Sequence, residues 1–343
     1  MALLAQELVL FHERITHASR PLVFYDDDAD GLTSYLLIHK KNPDAIGIRC
    51  GRGPEVDGEF ARKIHENQPD LVVIVDKPRV SDAFFSAYTT PTLWLDHHDP
   101  SAYQRRGHVT YLNPRIHDDA DDRPTSFWVW KSLGGPVWLA AVGTTADWHD
   151  SMLEELRAHH PELLAGARGV QGALYRSPLG ELVRMFNFSL KGSSKHVQGC
   201  VNTLKKIDSP KELLTASTPR GRFIHKHVKP ILAEYEEQLR IAQQTRAQQG
   251  VYVHVFGPYK NSLVAEVANE LLISRKTPII IVGRRIGGEV KFSMRSHARD
   301  LPPIVEKALQ GVEGYGGGHR EACGGSIVER DWDRFVTQVR EQV

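Results

Sequence analysis

The chain has 343 residues, of which 41% are hydrophobic and 25% are charged, and its formal net charge at pH 7 is +1. These values are typical of a globular protein long enough for two domains, and they exclude a disordered or fibrous chain. A near-neutral charge argues against tight binding of long duplex nucleic acid, although it leaves room for a local basic cleft. No apolar run approaches the roughly 20 residues that span a bilayer, so no membrane partner is expected.

The N-terminus and the cysteines indicate the compartment. Residues 1–10 lack the basic flank and the cleavage site of a signal peptide, and we predict that a helix starts there. Cys50, Cys200 and Cys323 are odd in number and far apart, which argues against a disulfide framework. The sequence therefore predicts a protein of the reducing cytoplasm.

Apolar strand-like runs alternate with amphipathic stretches up to about residue 150. We predict strands at 22–25, 46–50, 71–75 and 92–95, and helices at 32–40 and 56–67. This alternation indicates an α/β fold with right-handed crossovers and a parallel sheet that helices cover on both faces.

The character of the chain changes after about residue 150. Leu, Ala, Glu, Lys and Arg at helical spacing dominate up to residue 249, and we predict a long helix that follows Pro230 and closes at Gly250. A smaller α/β domain is predicted next, with strands at 251–256, 278–282, 290–294 and 324–328 and a helix at 262–274. The glycine run before the last strand, residues 314–319, is typical of a flexible turn or of a ligand cradle.

Acidic and histidine side chains follow three of the predicted strands: Asp26, Asp28 and Asp30, then Asp76, then Asp96, His97 and His98. Because the carboxyl ends of parallel strands meet at one edge of a sheet, these side chains are expected to converge. Oxygen and imidazole ligands without cysteine suit two Mn²⁺ ions, with Mg²⁺ as a substitute. A central Asp76 could bridge ions about 3.5–4 Å apart.

Ordinary structural roles compete with this hypothesis. Asp-rich loops often cap the following helix, and Asp30 is better explained in that way than as a ligand. Asp147 ends an apolar helix, where its charge opposes the helix dipole unless a cation compensates it. Asp150 is a nearby decoy, and the acidic cluster at 118–122 is typical of a solvated loop.

Residues of the C-terminal domain suggest an anion-binding surface. Gly316, Gly317 and Gly318 would let backbone amides approach a phosphate or a base, and His319 and Arg320 follow with side-chain donors. Arg295, which precedes Ser296 at the end of a predicted strand, could form a bidentate contact with phosphate.

Together these motifs resemble the DHH/DHHA1 phosphoesterase family, in the minimal archaeal-type form of its RecJ-like nucleases. The matching segments are Tyr25-Asp26-Asp27-Asp28-Ala29-Asp30-Gly31, Val73-Ile74-Val75-Asp76, Leu95-Asp96-His97-His98, Gly143-Thr144-Thr145-Ala146-Asp147 and Gly316-Gly317-Gly318-His319-Arg320-Glu321-Ala322-Cys323-Gly324-Gly325. The resemblance implies a DHH catalytic domain at 1–220, a connector helix at 221–249 and a DHHA1 substrate-binding domain at 250–343, with the active site in the cleft between the domains.

The resemblance also implies a role for each matching residue. The metal ligands would be Asp26, Asp28, Asp76, His97 and Asp147, with Asp76, His97 and His98 as the catalytic residues. The substrate would be held by His98, Arg295, Ser296, Gly317, Gly318, His319 and Arg320. Two positions depart from the family pattern. Leu22 stands where related pyrophosphatases and nanoRNases carry another histidine, and Lys77-Pro78 follows Asp76 in place of small residues.

The implied activity is a manganese-dependent hydrolysis of phosphodiester bonds, most simply by an exonuclease on single-stranded DNA or RNA. Hydrolysis of nanoRNA, of dinucleotides or of 3′-phosphoadenosine 5′-phosphate is the alternative, and an inactive Cdc45-like replication scaffold is a third hypothesis from another functional class. The expected partners are single-stranded nucleic acid or short oligonucleotides. Replication or repair proteins and a homodimer remain open.

Overall fold

The protein is described by a computed structural model that covers residues 3–51, 53, 55–102 and 105–343, with the backbone alone for His319. The chain forms two compact units, Met1–Val228 and Lys229–Val343. No helix among these residues is long and apolar enough to cross a membrane.

The N-terminal unit contains a five-stranded parallel sheet. Its strands are β1 (Pro21–Tyr25), β2 (Ile46–Arg49), β3 (Glu55–Val56), β4 (Leu71–Val75), β5 (Arg79–Val80), β6 (Thr92–Leu95) and β7 (Val109–Leu112). The order in the main sheet is β2-β1-β4-β6-β7, and β3 pairs with β5 separately. The central strands β1, β4 and β6 are buried along their whole length, as expected for apolar runs covered on both faces. The predicted parallel sheet is confirmed.

Helices make up most of the rest of this unit, and the last of them continues past Val228 into the C-terminal unit. They are α1 (Ala5–His17), α2 (Ala29–Lys41), α3 (Ala61–Asn67), α4 (Asp82–Ser86), α5 (Thr125–Leu133), α6 (Val137–Ala146), α7 (Leu153–His159), α8 (Pro161–Leu164), α9 (Gly169–Arg176), α10 (Pro178–Ser189), α11 (Ser194–Leu204), α12 (Pro210–Leu214) and α13 (Pro219–Ala242). Short 3₁₀ turns lie at Gly58–Phe60 and Pro114–Ile116. One core cluster packs Phe24, Ile74, Phe84 and Trp94 beneath the sheet.

Two predicted helices differ from the structure. The sequence predicts a helix over residues 56–67. In the structure Val56 is the last residue of a short strand, and the α-helix begins only at Ala61. The long helix begins at Pro219 and ends at Ala242, so that Pro230 lies inside it and Gly250 lies well beyond its end. Proline removes one helical hydrogen bond, but a helix of this length retains many others.

The C-terminal unit contains a mixed five-stranded sheet. Its elements are β8 (Val251–Phe256), α14 (Val264–Ser274), β9 (Ile279–Ile286), β10 (Glu289–Arg295), α15 (Leu301–Ala308), β11 (Gly314–His319), β12 (Ala322–Val328) and α16 (Trp332–Arg340), with a 3₁₀ turn at Glu329–Asp331. The strand order is β11-β12-β10-β9-β8, in which β8 and β9 run parallel and the other pairs antiparallel. Strands β9 and β10 pack against Trp332 and Phe335 of α16 in a single core.

The glycine run forms the edge strand β11 and not a flexible turn. A side chain at Gly316 would meet Val305 and Phe292 in the core, whereas a side chain at Gly317 would meet nothing within 4 Å. The two glycines therefore lie on opposite faces of the strand, as neighbouring residues must. Backbone pairing with β12 holds this strand despite the low strand propensity of glycine.

Candidate functional site

The predicted acidic residues follow the carboxyl ends of three adjacent strands. Tyr25 of β1 pairs in register with Val75 of β4, and Val75 pairs with Leu95 of β6. Asp26, Asp76 and Asp96 are the next residues along these three strands. The sheet register therefore brings their side chains to one edge, as the sequence predicted.

Close packing brings Asp147 to the same edge. Asp147 caps the C-terminal end of α6, which lies against α2 and α5. Gly143 of α6 makes this approach possible, because a methyl group there would overlap the hydroxyls of Thr33 and Ser126. Gly31 at the start of α2 has a similar role, since a side chain would lie 2.6 Å from the amide nitrogen of Asp26.

Three groups of potential ligand atoms overlap at Asp76. Within each group the atoms lie within 4.8 Å of one another. The groups are Asp26 with Asp28 and Asp76, Asp76 with His97 and His98, and Asp30 with Asp76, His97 and Asp147. Asp76 belongs to all three, which agrees with the central role predicted for it.

The Nε2 atom of His97 lies at distances from two carboxylate oxygens that suit ligands of one metal ion. His97 Nε2 lies 3.4 Å from Asp76 Oδ1 and 3.3 Å from Asp147 Oδ2. Neighbouring ligands on an octahedral ion with bonds of about 2.1 Å lie about 3 Å apart. His97 Nδ1 is 3.2 Å from the carbonyl of Asp122, and a carbonyl only accepts hydrogen bonds. The proton of a neutral His97 is therefore fixed on Nδ1, which leaves Nε2 with a lone pair for a cation.

Unpartnered atoms identify where a cation would fit. Among the described residues, Asp76 Oδ2 and His97 Nε2 are buried and have no hydrogen-bond partner. Buried polar atoms are costly to leave unsatisfied, and a divalent cation is the partner that would satisfy a carboxylate oxygen and an imidazole nitrogen together. The carboxylate oxygens and imidazole nitrogens of these groups thus fit a hard or borderline divalent cation.

The electrostatics of the carboxylates agree with this fit. Burial, and then the charge of Asp76, raise the pKa of Asp26 to about 6. Burial and the charges of Asp76 and Asp147 raise the pKa values of Asp28 and Asp30 well above their ordinary range. Burial alone would lower the pKa of His97, but the neighbouring carboxylates of Asp147 and Asp76 raise it. Carboxylates this close hold protons unless a cation neutralises them.

Asp30 and Asp96 support their neighbours. The carboxylate of Asp30 accepts hydrogen bonds from the amides of Thr125 (2.8 Å) and Ser126 (3.0 Å), so it caps helix α5 and not the helix on which it lies. The carboxylate of Asp96 is completely buried and lies 2.8 Å from Nδ1 of His98, which orients that ring.

A lysine that sequence reasoning did not assign belongs to this site. Lys77 follows Asp76, its side chain is completely buried, and its Nζ lies 2.8 Å from Asp26 Oδ1. The only signal in the sequence was that Lys77 departs from the family pattern. The second departure, Leu22, packs in the core with Phe24 and Val72 and offers no ligand.

Apart from His98, the residues predicted to hold substrate lie in the C-terminal unit, in different environments. Gly317 faces open space on β11, and Gly318 has a φ of 150°, with no room for a side chain beside the carbonyl of Ala322. Arg295 Nε donates to Asn269 Oδ1 at 2.6 Å, and Arg295 Nη1 donates to the carbonyl of Met294 at 2.9 Å. Its guanidinium is therefore already oriented by protein acceptors.

The other three predicted substrate residues are less alike. Ser296 is completely buried, and its hydroxyl donates to the carbonyl of Pro278 at 2.7 Å. The structure does not bring Ser296 to a surface that a substrate can reach. Arg320 is exposed in the turn between β11 and β12. The side chain of His319 lies outside the described residues.

Comparisons with known proteins agree with this architecture. Residues 248–343 match the family model of the DHHA1 domain. A search of curated protein sequences found no significant match. Among solved structures, the chain is similar to RecJ in complex with Mn²⁺ from Thermus thermophilus, with 18% identity over 98% of this chain and a TM-score of 0.67. The match covers 54% of that RecJ, so this chain spans about half of its length.

Two further structures match over nearly their whole length. An exonuclease RecJ bound to manganese is 21% identical, with 98% of this chain and 93% of that chain covered and a TM-score of 0.60. A pGpG-specific phosphodiesterase, PggH from Vibrio cholerae, is 15% identical, with 94% and 98% covered and a TM-score of 0.53. The chain therefore carries a DHHA1 domain at residues 248–343, and its fold is similar to that of the RecJ structures.

Proposed function

We propose that this protein is a divalent-cation-dependent phosphodiesterase that removes nucleotides from single-stranded DNA or RNA, with Mn²⁺ as the preferred ion and Mg²⁺ as a substitute. The main support for the proposal is that two potential metal-ligand atoms, Asp76 Oδ2 and His97 Nε2, are buried without hydrogen-bond partners at the carboxyl edge of the parallel sheet. The fold supports it, because two of the similar structures are RecJ proteins with bound manganese.

Each residue of the site has a chemical task in this proposal. Asp26, Asp28, Asp76, His97 and Asp147 would hold the metal. A divalent cation in such a site lowers the pKa of a water molecule and neutralises charge on a phosphoryl group. His98 would donate a hydrogen bond to a phosphoryl oxygen, and Asp96 keeps its ring in position. Asp30 holds the start of α5 and would thereby fix the loop that carries Asp28.

An exposed aromatic side chain supports a single-stranded substrate. Tyr315 is 67% exposed and lies on β11 two residues before Gly317. Bases of single strands commonly stack on such side chains, whereas bases in a duplex are already stacked on each other. The net charge of +1 also suits a short or single-stranded ligand better than a long duplex.

Hydrolysis of dinucleotides is the second candidate function. It is favoured by the similarity to PggH, which is described as a pGpG-specific phosphodiesterase and whose chain is covered almost completely. The exonuclease hypothesis is favoured by the similarity to the two RecJ structures, which have the higher TM-scores. The buried thiols of Cys50 and Cys200 are not in disulfides, which supports the cytoplasm as the place of action.

The proposal is tested by the products formed from end-labelled oligonucleotides. With Mn²⁺, a 20-nucleotide single strand of DNA or RNA should give a ladder of shortened products, and EDTA should abolish the ladder. Rapid cleavage of pGpG without a ladder would favour the dinucleotide hypothesis instead. If none of these substrates were hydrolysed with Mn²⁺ or with Mg²⁺, the proposal would be overturned, and the hypothesis of an inactive scaffold would remain.

A further inference from the structure

Lys77 places a positive charge inside the predicted metal site. Its side chain is completely buried, and its Nζ lies 2.8 Å from Asp26 Oδ1 and 2.5 Å from the carbonyl oxygen of Gly53. The backbone at Lys77 is also fixed, because Trp94 Nε1 donates a hydrogen bond to its carbonyl at 2.8 Å. An ammonium group is a compact point charge with three donors and no acceptor, so it can occupy a cation position among carboxylates.

The two sides of Asp76 differ in how many of their ligand atoms already have partners. On the Asp26 side, Asp26 Oδ1 accepts hydrogen bonds from Lys77 Nζ and from the amide of Asp27, both at 2.8 Å. Asp28 Oδ1 accepts a hydrogen bond from the amide of Gly31 at 2.9 Å. On the other side, His97 Nε2 is buried without a hydrogen-bond partner, 3.4 Å from Asp76 Oδ1 and 3.3 Å from Asp147 Oδ2. A ligand atom whose lone pair is free for a cation therefore lies on the His97 side.

We infer that Lys77 replaces one divalent cation, so that the centre binds a single metal ion on the side formed by Asp76, His97 and Asp147. A second dication beside Asp26 would be repelled by the buried ammonium, and a low local dielectric strengthens this repulsion. The ammonium neutralises Asp26 but coordinates no water, so the site would activate one water molecule only. This inference rests on the proposed function for the presence of a metal, and it changes the predicted number of ions from two to one.

The number of bound Mn²⁺ ions tests the inference without any activity assay. The full-length protein is dialysed against excess Mn²⁺, and bound metal is measured by mass spectrometry and by electron paramagnetic resonance. We expect the unaltered protein to bind one ion per chain, with the six-line spectrum of isolated Mn²⁺. Lys77→Met keeps most of the hydrocarbon stem and removes the charge. It should bind two ions and give the spectrum of a spin-coupled pair.

Lys40→Met is the matched control. Lys40 forms an ion pair of similar length, with its Nζ 2.7 Å from Asp208 Oδ1. This pair lies at the surface of the same unit, and Asp208 belongs to none of the three groups of potential ligand atoms. This variant should keep one ion. Circular dichroism checks the folding of each variant, and Lys77→Gln is the second neutral variant if Lys77→Met does not fold.

Two results would overturn the inference and leave the proposed function intact. One is an unaltered protein that binds two spin-coupled ions, which needs no variant to observe. The other is a folded neutral variant at position 77 that still binds one ion. A protein that binds no Mn²⁺ would overturn the inference together with the metal dependence in the proposed function. Binding of two ions would leave that function intact, so the two failures are distinguishable.

Discussion

Asp76 combines a strained backbone with the central position in the site. Its φ is 60°, a left-handed value that is uncommon outside glycine, and it immediately follows β4. Asparagine adopts this conformation more readily than most residues and has the size of aspartate. Asp76→Asn should therefore preserve the fold, lower the affinity for Mn²⁺ at least roughly 10- to 100-fold, and abolish detectable hydrolysis. Equilibrium dialysis and the oligonucleotide assay measure these effects.

Asp150 provides the control for this prediction. It follows Asp147 by three residues but does not belong to any of the donor groups found among the described residues. Asp150→Asn should leave Mn²⁺ affinity and hydrolysis unchanged. Near-full activity of Asp76→Asn would contradict the role assigned to Asp76.

Single residues also show the limits of the sequence. The convergence of Asp26, Asp76 and His97 could be predicted, because apolar strands that end in acids or histidines follow from residue type and order alone. The contact between Lys77 and Asp26 could not, because the residues are 51 positions apart and the direction of a lysine side chain depends on the turn after β4. A helix-capping role for Asp30 was anticipated, although it caps α5 and not α2.

Helix α6 depends on a glycine for its close approach to α2 and α5. Gly143→Ala places a methyl group 2.8 Å from Ser126 Cβ, in addition to its overlap with two hydroxyls. Overpacking costs about 1–3 kcal/mol, and overlaps this severe belong at the upper end of that range. The cost then exceeds the helix propensity gained with alanine, about 1 kcal/mol. We expect a net loss of unfolding free energy in urea and weaker Mn²⁺ binding, because Asp147 ends this helix.

Gly199 is a control that separates the effect of close packing from the effect of helix propensity, because it lies in a helix where a methyl group has more room. An added methyl group at Gly199 of α11 would lie 3.3 Å from the ring of Phe223, which is 45% exposed and can move. Gly199→Ala should keep or increase stability. If both variants were equally stable, the close packing of α6 would not be what positions Asp147.

Strand β11 was the element most difficult to predict. Four of its six residues are glycine, and glycine has low strand propensity, so the local sequence favours a turn. The strand forms because it pairs with β12 in a hairpin closed by Arg320 and Glu321, and β12 is in turn paired with β10. The pairing of β12 with β10 is a long-range contact that local patterns do not encode. The strands of the parallel sheet were predictable because their apolar runs are themselves the signal.

The exposed side chain of β11 gives a test of the substrate class. Tyr315→Ala should raise KM for a 20-nucleotide single strand by roughly five- to one-hundred-fold, because base stacking contributes about 1–3 kcal/mol per base. Tyr315→Phe should restore the original KM, since the aromatic face remains. Ile286→Ala removes another exposed apolar side chain of this unit, 40% exposed, and should have no effect. An unchanged KM for Tyr315→Ala would exclude stacking on this strand.

At the scale of the whole molecule, the acidic cluster couples metal binding to stability. The pKa of Asp26 is raised to about 6, and those of Asp28 and Asp30 are raised well above their ordinary range, so the native state without metal binds more protons than the unfolded state above about pH 4. Its stability should therefore fall as pH rises through 6 and beyond. The raised pKa of His97 has the same sign, because the stability it provides is lost as pH rises through that pKa. The lowered pKa of Asp76 opposes this trend only in more acidic solution.

Mn²⁺ should reverse this loss of stability, because it binds the deprotonated ligands of the native state only. We expect the increase in Tm on adding Mn²⁺ to be larger at pH 8 than at pH 5.5. Tryptophan fluorescence reports mainly the N-terminal unit, where Trp94, Trp128, Trp130, Trp138 and Trp148 lie, with only Trp332 in the other unit. Asp76→Asn should remove most of the Mn²⁺ effect at both pH values. An equal increase in Tm at both pH values would show that the raised carboxylate pKa values are not linked to metal binding.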